Sequence, residues 1–165
     1  MSKAFTKEDD GPENERLDDL PQSPHPNYVT SEGLQALYDR LSVLRAHLAD
    51  LRAQGDETAN RLAVAVAQRD IRFFQERINR AIPVDPATHT PGIVSFGAEI
   101  RMIDENDDEH IYRIVGEDEA DPARGLIAPF SPLAVALMGA GVGDTVEWPR
   151  PTGAIDLEIL AIRFP

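Results

Sequence analysis

The most regular feature of the chain is a leucine repeat in its first third. The leucines recur at alternating spacings of three and four residues: Leu34, Leu37, Leu41, Leu44, Leu48 and Leu51. This spacing places them along one face of an α-helix, as in coiled coils, and predicts a helix over residues 30–54. Thr30 is a suitable N-cap, and Gly55-Asp56 interrupts the pattern where a turn is expected.

A second, less regular helical pattern runs from about residue 60 to residue 82. Its apolar members can share one face: Leu62, Val66, Ile71, Phe74, Ile78 and Ile82. Pro83 and Pro86 end the pattern, because proline cannot continue a helix. Two apolar-faced helices joined by a short break predict an antiparallel hairpin. Arms of about 23 residues would each span roughly 35 Å.

After a proline-rich segment the apolar period changes from helical to alternating. Val94, Phe96, Ala98, Ile100 and Met102 alternate with mostly polar or small residues, which predicts a strand. Shorter strand patterns follow at residues 111–115, 126–128, 144–148 and 155–164. A short helix is expected over residues 132–139, opened by Ser131 as a cap and by Pro132 at the first helical position.

These patterns predict an α+β chain with four segments. Residues 1–27 are expected to form a disordered tail, since they hold four prolines, many charges and few apolar groups. Residues 28–83 are expected to form an antiparallel coiled-coil hairpin, and residues 84–91 a linker. Residues 92–165 are expected to form a small, mostly antiparallel β domain with one short helix.

Charge narrows the range of partners. The net charge is −13, and residues 83–165 carry fifteen acidic against five basic residues. Residues 30–82 carry seven acids and eight bases, all arginine. Strong binding to free nucleic acid is therefore not expected, because phosphate recognition needs concentrated positive charge. The arginines of the hairpin can still pair with phosphates or carboxylates.

Other classes of protein are disfavoured by what the sequence lacks. There is no cysteine, which excludes disulfides and cysteine-ligated zinc. The four histidines, His25, His47, His89 and His110, do not form a metal-ligand pair at helical or turn spacing. No apolar run approaches the roughly 18 residues of a membrane span, and the N-terminus lacks a signal-peptide core. A soluble, cytoplasmic protein is expected.

Two stretches of the C-terminal half resemble a known family. The first, at residues 114–122, reads Ile-Val-Gly-Glu-Asp-Glu-Ala-Asp-Pro; the second runs from Phe130-Ser131-Pro132 through residues 136–139 to residues 142–146. In order and spacing they resemble the C-terminal domain of the bacterial GreA/GreB transcript cleavage factors. Further matches extend the resemblance over residues 28–165. These are Thr30 with Gly33-Leu34, Gly55-Asp56 followed by Asn60, and Phe96-Gly97.

The resemblance implies a coiled-coil hairpin and an FKBP-like C-terminal domain without prolyl isomerase function. It further implies that the C-terminal domain docks at the rim of the secondary channel of bacterial RNA polymerase and that the hairpin enters the channel. Acids at the tip then help to hold Mg²⁺ and water at the polymerase active site, which cuts backtracked RNA. On this interpretation Asp56 and Glu57 are the tip acids, and Asp56 shares the polymerase's Mg²⁺.

The resemblance also fixes the expected partners and cofactors. The partners are bacterial RNA polymerase and the 3′ end of the nascent RNA within that complex. The chain is expected to bind no cofactor alone and to act as an accessory factor, not as an enzyme with catalytic residues of its own.

Two further groups of residues are candidate contacts. Arg52, Arg61 and Arg69 flank the tip and either contact the RNA backbone or lie on solvated faces with i,i+4 pairing. The expected polymerase-docking residues are Asp118, Glu119, Asp121, Pro122, Ser131 and Pro132. Ser131 and Pro132 have the alternative role of opening the short helix.

The sequence departs from the family pattern at the hairpin. The tip motif resembles Gly-Asp-x-x-Glu-Asn-Ala, but Ala59 occupies the second acidic position and Ala63 replaces an aromatic residue. Each arm is also shorter by about eight residues, or roughly 12 Å of helix. These differences leave a second function open: a non-cleaving regulator or inhibitor in the same channel, or a short-hairpin regulator of nucleoside diphosphate kinase type.

A stand-alone prolyl isomerase is a third hypothesis, suggested by the expected fold of the C-terminal domain. Fold alone is weak support for an activity. The C-terminal half shows no nucleophile–base arrangement in its sequence.

Overall fold

A computed structural model describes residues 16–55 and 57–165, with the backbone only for Glu57 and Thr58. Two long helices are followed by a five-stranded sheet with one short helix, which confirms the predicted mixed helix-and-sheet fold. The helices are α1 (Ser31–Ala53), α2 (Glu57–Asn79) and α3 (Pro132–Leu137). The strands are β1 (Asn27–Val29), β2 (Ala81–Pro83), β3 (Glu99–Asp104), β4 (Glu109–Ile114), β5 (Leu126–Ile127), β6 (Thr145–Trp148) and β7 (Ile155–Arg163).

The leucine repeat forms the seam of the hairpin. Helix α1 packs along α2 and buries Leu37, Leu41, Leu44 and Leu51, and α2 buries Ala65 and Ala67. Thr30 is confirmed as the N-cap of α1, because its Oγ1 accepts a hydrogen bond from the Gly33 N–H at 2.9 Å. The hairpin therefore follows from apolar spacing and capping, as predicted.

Helix α2 begins and ends about three residues earlier than its sequence pattern predicts. Leu62, expected on the buried face, is 63% exposed, and Ile82 lies in strand β2 instead of the helix. In β2, Ile82 pairs in parallel with Tyr28 of β1. This non-local strand partner replaces the last helical turn, and a local apolar period gives no sign of it.

The prediction of a disordered tail is wrong for residues 16–27. This segment runs along α2 and reaches β1. Arg72 Nη2 donates to the Leu17 carbonyl oxygen at 2.8 Å, and Gln22 Nε2 donates to the Phe73 carbonyl oxygen at 3.2 Å. Polar contacts hold the segment, so its low apolar content did not reveal the packing. Residues 1–15 lie outside the described part of the chain.

The C-terminal sheet has the strand order β5-β4-β3-β7-β6 and is antiparallel except where β5 joins β4. Helix α3 covers one face of the sheet and closes its core. The fully buried core includes Ile100 and Met102 of β3, Leu157 and Ile159 of β7, and Leu137 of α3. Val94, Phe96 and Ala98 are buried in the same core although they precede β3, which begins at Glu99.

No helix in the described part of the chain combines the length and the apolar character needed to cross a membrane.

Candidate functional site

The free end of the hairpin is a tight turn between α1 and α2. Gly55 has a φ of +74°, a left-handed conformation that glycine adopts at little cost and that commonly ends helices. Asn60 Nδ2 donates to the Leu51 carbonyl oxygen at 3.3 Å and to Gln54 Oε1 at 3.2 Å. The Asn60 amide thus satisfies a carbonyl at the end of α1 that has no partner within its own helix.

The side chains of the two acids predicted for this tip are not among the described parts of the chain. Asp56 lies outside the described residues, and so does the side chain of Glu57, the first residue of α2. Ala59, at the second acidic position of the family motif, is exposed.

The three candidate arginines are not equivalent. Arg52 lies in the last turn of α1 and Arg61 near the start of α2, and both are exposed. Arg69 lies two turns further along α2, where its Nε and Nη2 donate to Asp70 Oδ1 at 3.0 and 2.8 Å. The hairpin end therefore presents Arg52 and Arg61, whereas Arg69 is engaged by its own chain.

The predicted docking acid Asp118 lies against the base of the hairpin. It belongs to a 3-10 turn, Glu117–Glu119, that follows β4. The Arg77 side chain in the last turn of α2 is buried, and its Nε and Nη2 donate to Asp118 Oδ2 at 2.8 and 2.6 Å. Arg77 Nη2 also donates to Asn27 Oδ1 at 2.6 Å, while Asn27 Nδ2 donates to the Arg77 carbonyl oxygen at 2.7 Å.

Glu119 makes a second link, to the start of α1. Thr30 Oγ1 donates to Glu119 Oε1 at 2.6 Å, and the Gly116 N–H donates to Glu119 Oε2 at 3.1 Å. The same Thr30 hydroxyl that caps α1 therefore also binds the C-terminal domain. We call Asn27, Thr30, Arg77, Asp118 and Glu119 the base cluster.

A third and looser link lies beside the base cluster. Arg113 Nη2 of β4 is 3.9 Å from Glu32 Oε2 in the first turn of α1. The pKa of the Glu32 carboxyl lies below its usual value, mainly because the carboxylate accepts a hydrogen bond from its own backbone N–H at the helix start. Arg113 lowers this pKa further.

The remaining predicted docking residues lie on the C-terminal domain. Asp121 pairs through its backbone with Leu126 and precedes the 3-10 turn that Pro122 opens. Ser131 is confirmed as the cap of α3, since its Oγ accepts from the Ala134 N–H at 3.4 Å. Pro132, at the first helical position, and Pro122 are exposed.

Sequence reasoning missed Arg77 and Asn27. One signal was present: Arg77 lies three residues after Phe74 and next to Ile78, on the face assigned to apolar packing. A charged residue on a buried face needs a partner. The partner, however, was an acid 41 residues away in a run interpreted as a docking surface.

In the described part of the chain, no three His, Asp or Glu side chains come close enough together to hold a metal ion.

Comparison with known proteins identifies relatives over most of the chain. Residues 88–164 match the family model described as "Transcription elongation factor, GreA/GreB, C-term". The chain is 39% identical over 152 residues to a transcription elongation factor GreA of Acidiphilium cryptum, covering 82% of this chain and 96% of that protein. It is 36% identical over 129 residues to a GreA of Brucella canis, covering 78% of this chain and 82% of that protein.

Solved structures are similar at lower identity. A prokaryotic transcription elongation factor GreA/GreB from Nitrosomonas europaea is 21% identical, with a TM-score of 0.42 over 84% of this chain and 99% of that one. The GreA factor homolog 1 (Gfh1) of Thermus thermophilus is 20% identical, with a TM-score of 0.41 over the same shares of the two chains.

Proposed function

The chain belongs to the GreA/GreB family of transcription elongation factors, and we propose that it binds bacterial RNA polymerase at the secondary channel and promotes cleavage of backtracked RNA. The identity of 39% to a curated GreA, over nearly the whole length of that protein, carries this proposal. The hairpin supports it, because its free end is an exposed turn next to an acid, Asp56.

In this proposal the body of the protein stays at the channel rim and the hairpin reaches inward. The 23 residues of α1 span roughly 35 Å. Asp121, Pro122 and Pro132 remain available for docking, whereas Asp118 and Glu119 already bind the hairpin. This proposal includes an FKBP-like fold for the C-terminal domain. Cleavage occurs at the polymerase active site, so this chain acts as an accessory factor.

The tip contributes carboxylate oxygen to an ion that the polymerase holds. Mg²⁺ prefers oxygen ligands, keeps several waters, and when bound activates water and stabilises developing negative charge. Asp56, immediately before α2, and Glu57, its first residue, supply one or two carboxylates, which suits completion of a site held mainly by another protein. In this proposal the exposed Arg52 and Arg61 pair with RNA phosphates.

The test is RNA release from a stalled, backtracked polymerase with purified protein. The wild type is expected to accelerate cleavage, and Asp56→Ala to reduce that acceleration by about tenfold or more, as loss of groups that support metal sites commonly does. Asp50→Ala is the matched control, because Asp50 is an exposed acid of α1 close to the same end. A wild type that binds polymerase without accelerating release would contradict the proposal.

A second function is favoured by one observation: exposed Ala59 stands where the family motif has its second acid. In that case the chain occupies the channel and regulates or inhibits polymerase without cleavage. Competition with a cleaving GreA for polymerase, without RNA release, would support this function. If the chain fails to bind polymerase, regulation of nucleoside diphosphate kinase is the remaining hypothesis from the short hairpin.

Restoring the missing acid separates the two functions. Position 59 lies in the first turn of α2, three residues after Asp56 in the sequence, a spacing that favours a common face. Ala59→Glu is therefore expected to raise the cleavage rate several-fold over the wild type, with Ala63→Glu as the control one turn further along the helix. Equal rates for Ala59→Glu and the wild type would show that position 59 does not face the reaction.

A further inference from the structure

We propose that the base cluster fixes the direction in which the hairpin leaves the C-terminal domain, with Arg77 and Asp118 as positioning residues. The inference about direction concerns the isolated protein. Its consequence for transcription rests on the proposed function.

The C-terminal domain holds the hairpin at two separate points. Asp118 binds Arg77 in the last turn of α2, and Glu119 binds Thr30 at the start of α1. Both acids belong to one short 3-10 turn, Glu117–Glu119. A single attachment would leave the hairpin free to swing about it, whereas two attachments on different helices oppose that swing.

Two glycines show how closely the hairpin base packs on the C-terminal domain. A Cβ atom at Gly33 would lie 2.2 Å from Glu119 Cδ, and a Cβ at Gly116 would lie 2.7 Å from the Tyr28 carbonyl oxygen. The Tyr28 ring adds a third contact, 5.8 Å from the Phe96 ring centroid and 6.5 Å from that of Phe130. The hairpin base is thus in contact with the domain on several sides.

The buried charge of Arg77 opposes partial separation of the hairpin from the C-terminal domain. The Arg77 side chain is only 3% exposed, and Glu117 Oε2 lies 3.5 Å from its Nη2 in addition to the Asp118 pair. A buried guanidinium that loses its partner is strongly disfavoured. Rotation of the hairpin away from Asp118 must therefore either leave this charge unpaired or bring it out to water.

The length of the hairpin magnifies any error at its base. With arms of roughly 35 Å, a rotation of about 10° at the base moves the tip by about 6 Å. Misplacement of a catalytic group by about 1 Å can already reduce a rate about 100-fold. Residues far from the tip therefore control whether its acids meet the reacting atoms.

The absence of cysteine from the sequence allows a direct measurement. Spin labels at Ala53→Cys, near the tip, and Ala154→Cys, on an exposed turn of the sheet, report one distance across the base cluster. A narrow distance distribution is expected with the native cluster. Asp118→Ala is expected to broaden or shift it by several ångströms, and Asp108→Ala, an exposed acid in the β3–β4 turn, to leave it unchanged.

A double variant distinguishes an effect on the direction of the hairpin from an effect on the stability of the fold. Arg77→Met together with Asp118→Ala removes both charges, so stability is expected to recover relative to Asp118→Ala alone. The distance distribution is expected to stay broad, because the directional contact is still missing. An unchanged distribution in Asp118→Ala, a narrow one in the double variant, or a broad one with the native cluster would each overturn the proposal.

The consequence for transcription is measured separately with polymerase. Asp118→Ala is expected to lower the cleavage rate at saturating factor, with the half-saturating concentration little changed. A change confined to the half-saturating concentration would instead make Asp118 a docking residue. If the wild type fails to stimulate cleavage, the proposed function is lost, but the distance measurement on the isolated protein is unaffected.

Discussion

Gly33 lies close to the Glu119 carboxylate, so Gly33→Ala has two opposing effects on stability: a gain in helix preference and a steric conflict. Alanine is favoured over glycine within a helix by about 1 kcal/mol. At position 33, however, its Cβ would lie 2.2 Å from Glu119 Cδ, and Glu119 is held by Thr30 and the Gly116 N–H. Gly33→Ala is therefore expected to lower the free energy of unfolding by about 1–3 kcal/mol, as measured by urea denaturation.

In a Glu119→Ala background, Gly33→Ala is expected to raise the free energy of unfolding instead of lowering it. Without the carboxylate the steric conflict disappears, and only the helix preference of alanine remains, a gain of about 1 kcal/mol. Ala36→Gly, at an exposed position of the same helix, gives the size of that preference without the conflict. A stabilising Gly33→Ala in the native background would contradict the close packing of Gly33 on Glu119.

Asp19 shows the effect of an ion pair outside the base cluster. The hydrogen bond from Arg72 holds the pKa of the Asp19 carboxyl below its usual value, although burial opposes the shift. Because this pKa is lower in the folded state, its contribution to stability is present above the unfolded pKa. That contribution is lost as the pH falls through the folded value.

The pKa of Asp19 can be followed by NMR titration of its carboxyl carbon. Arg72→Gln is expected to raise this pKa toward its usual value, because the positive charge and its charge-assisted hydrogen bond are lost. Arg69→Gln, which removes the arginine paired with Asp70, is the control and is expected to leave the Asp19 titration unchanged. An Asp19 pKa that does not respond to Arg72→Gln would show that Asp19 does not contact Arg72 of α2 in solution.

At the scale of elements, the sequence predicted correctly those features that depend on residues close together in the chain. The leucine repeat, the Thr30 cap and the Ser131 cap each depend on residues within one or two helical turns, and all three are present. The end of α2 depends on β1, some fifty residues earlier, so a periodic pattern extended it wrongly to Ile82. The Arg77–Asp118 pair is equally non-local, so no local pattern predicts it, and the docking role expected of Asp118 stays a prediction.

The packing of the two arms can be tested at adjacent residues of α1. Leu44 is 7% exposed in the seam, whereas the neighbouring Val43 is 59% exposed to solvent. Leu44→Ala is expected to lower the free energy of unfolding by about 2–4 kcal/mol, and Val43→Ala to change it by less than about 0.5 kcal/mol. Circular dichroism at increasing urea measures both, and equal effects would contradict the seam.

At the scale of the whole molecule, the hairpin and the C-terminal part differ in charge and in shape. The C-terminal part carries most of the excess acid, and the hairpin is nearly neutral with arginines at its free end. The net negative charge of the C-terminal part disfavours contact with nucleic acid. The nearly neutral hairpin lacks this repulsion, which agrees with its proposed entry into a channel that contains RNA.

This division predicts different neighbours for the two ends when the protein is bound to a backtracked polymerase. A photo-crosslinking residue at Ala53, in the last turn of α1, is expected to react with the polymerase interior and with the RNA 3′ end. One at Thr152, in the exposed turn between β6 and β7, is expected to react only with the outer surface, if at all. Because both positions are exposed in the free protein, any difference arises from the bound geometry. Crosslinks to RNA from both positions, or from Thr152 alone, would show that the hairpin does not lead the protein into the channel.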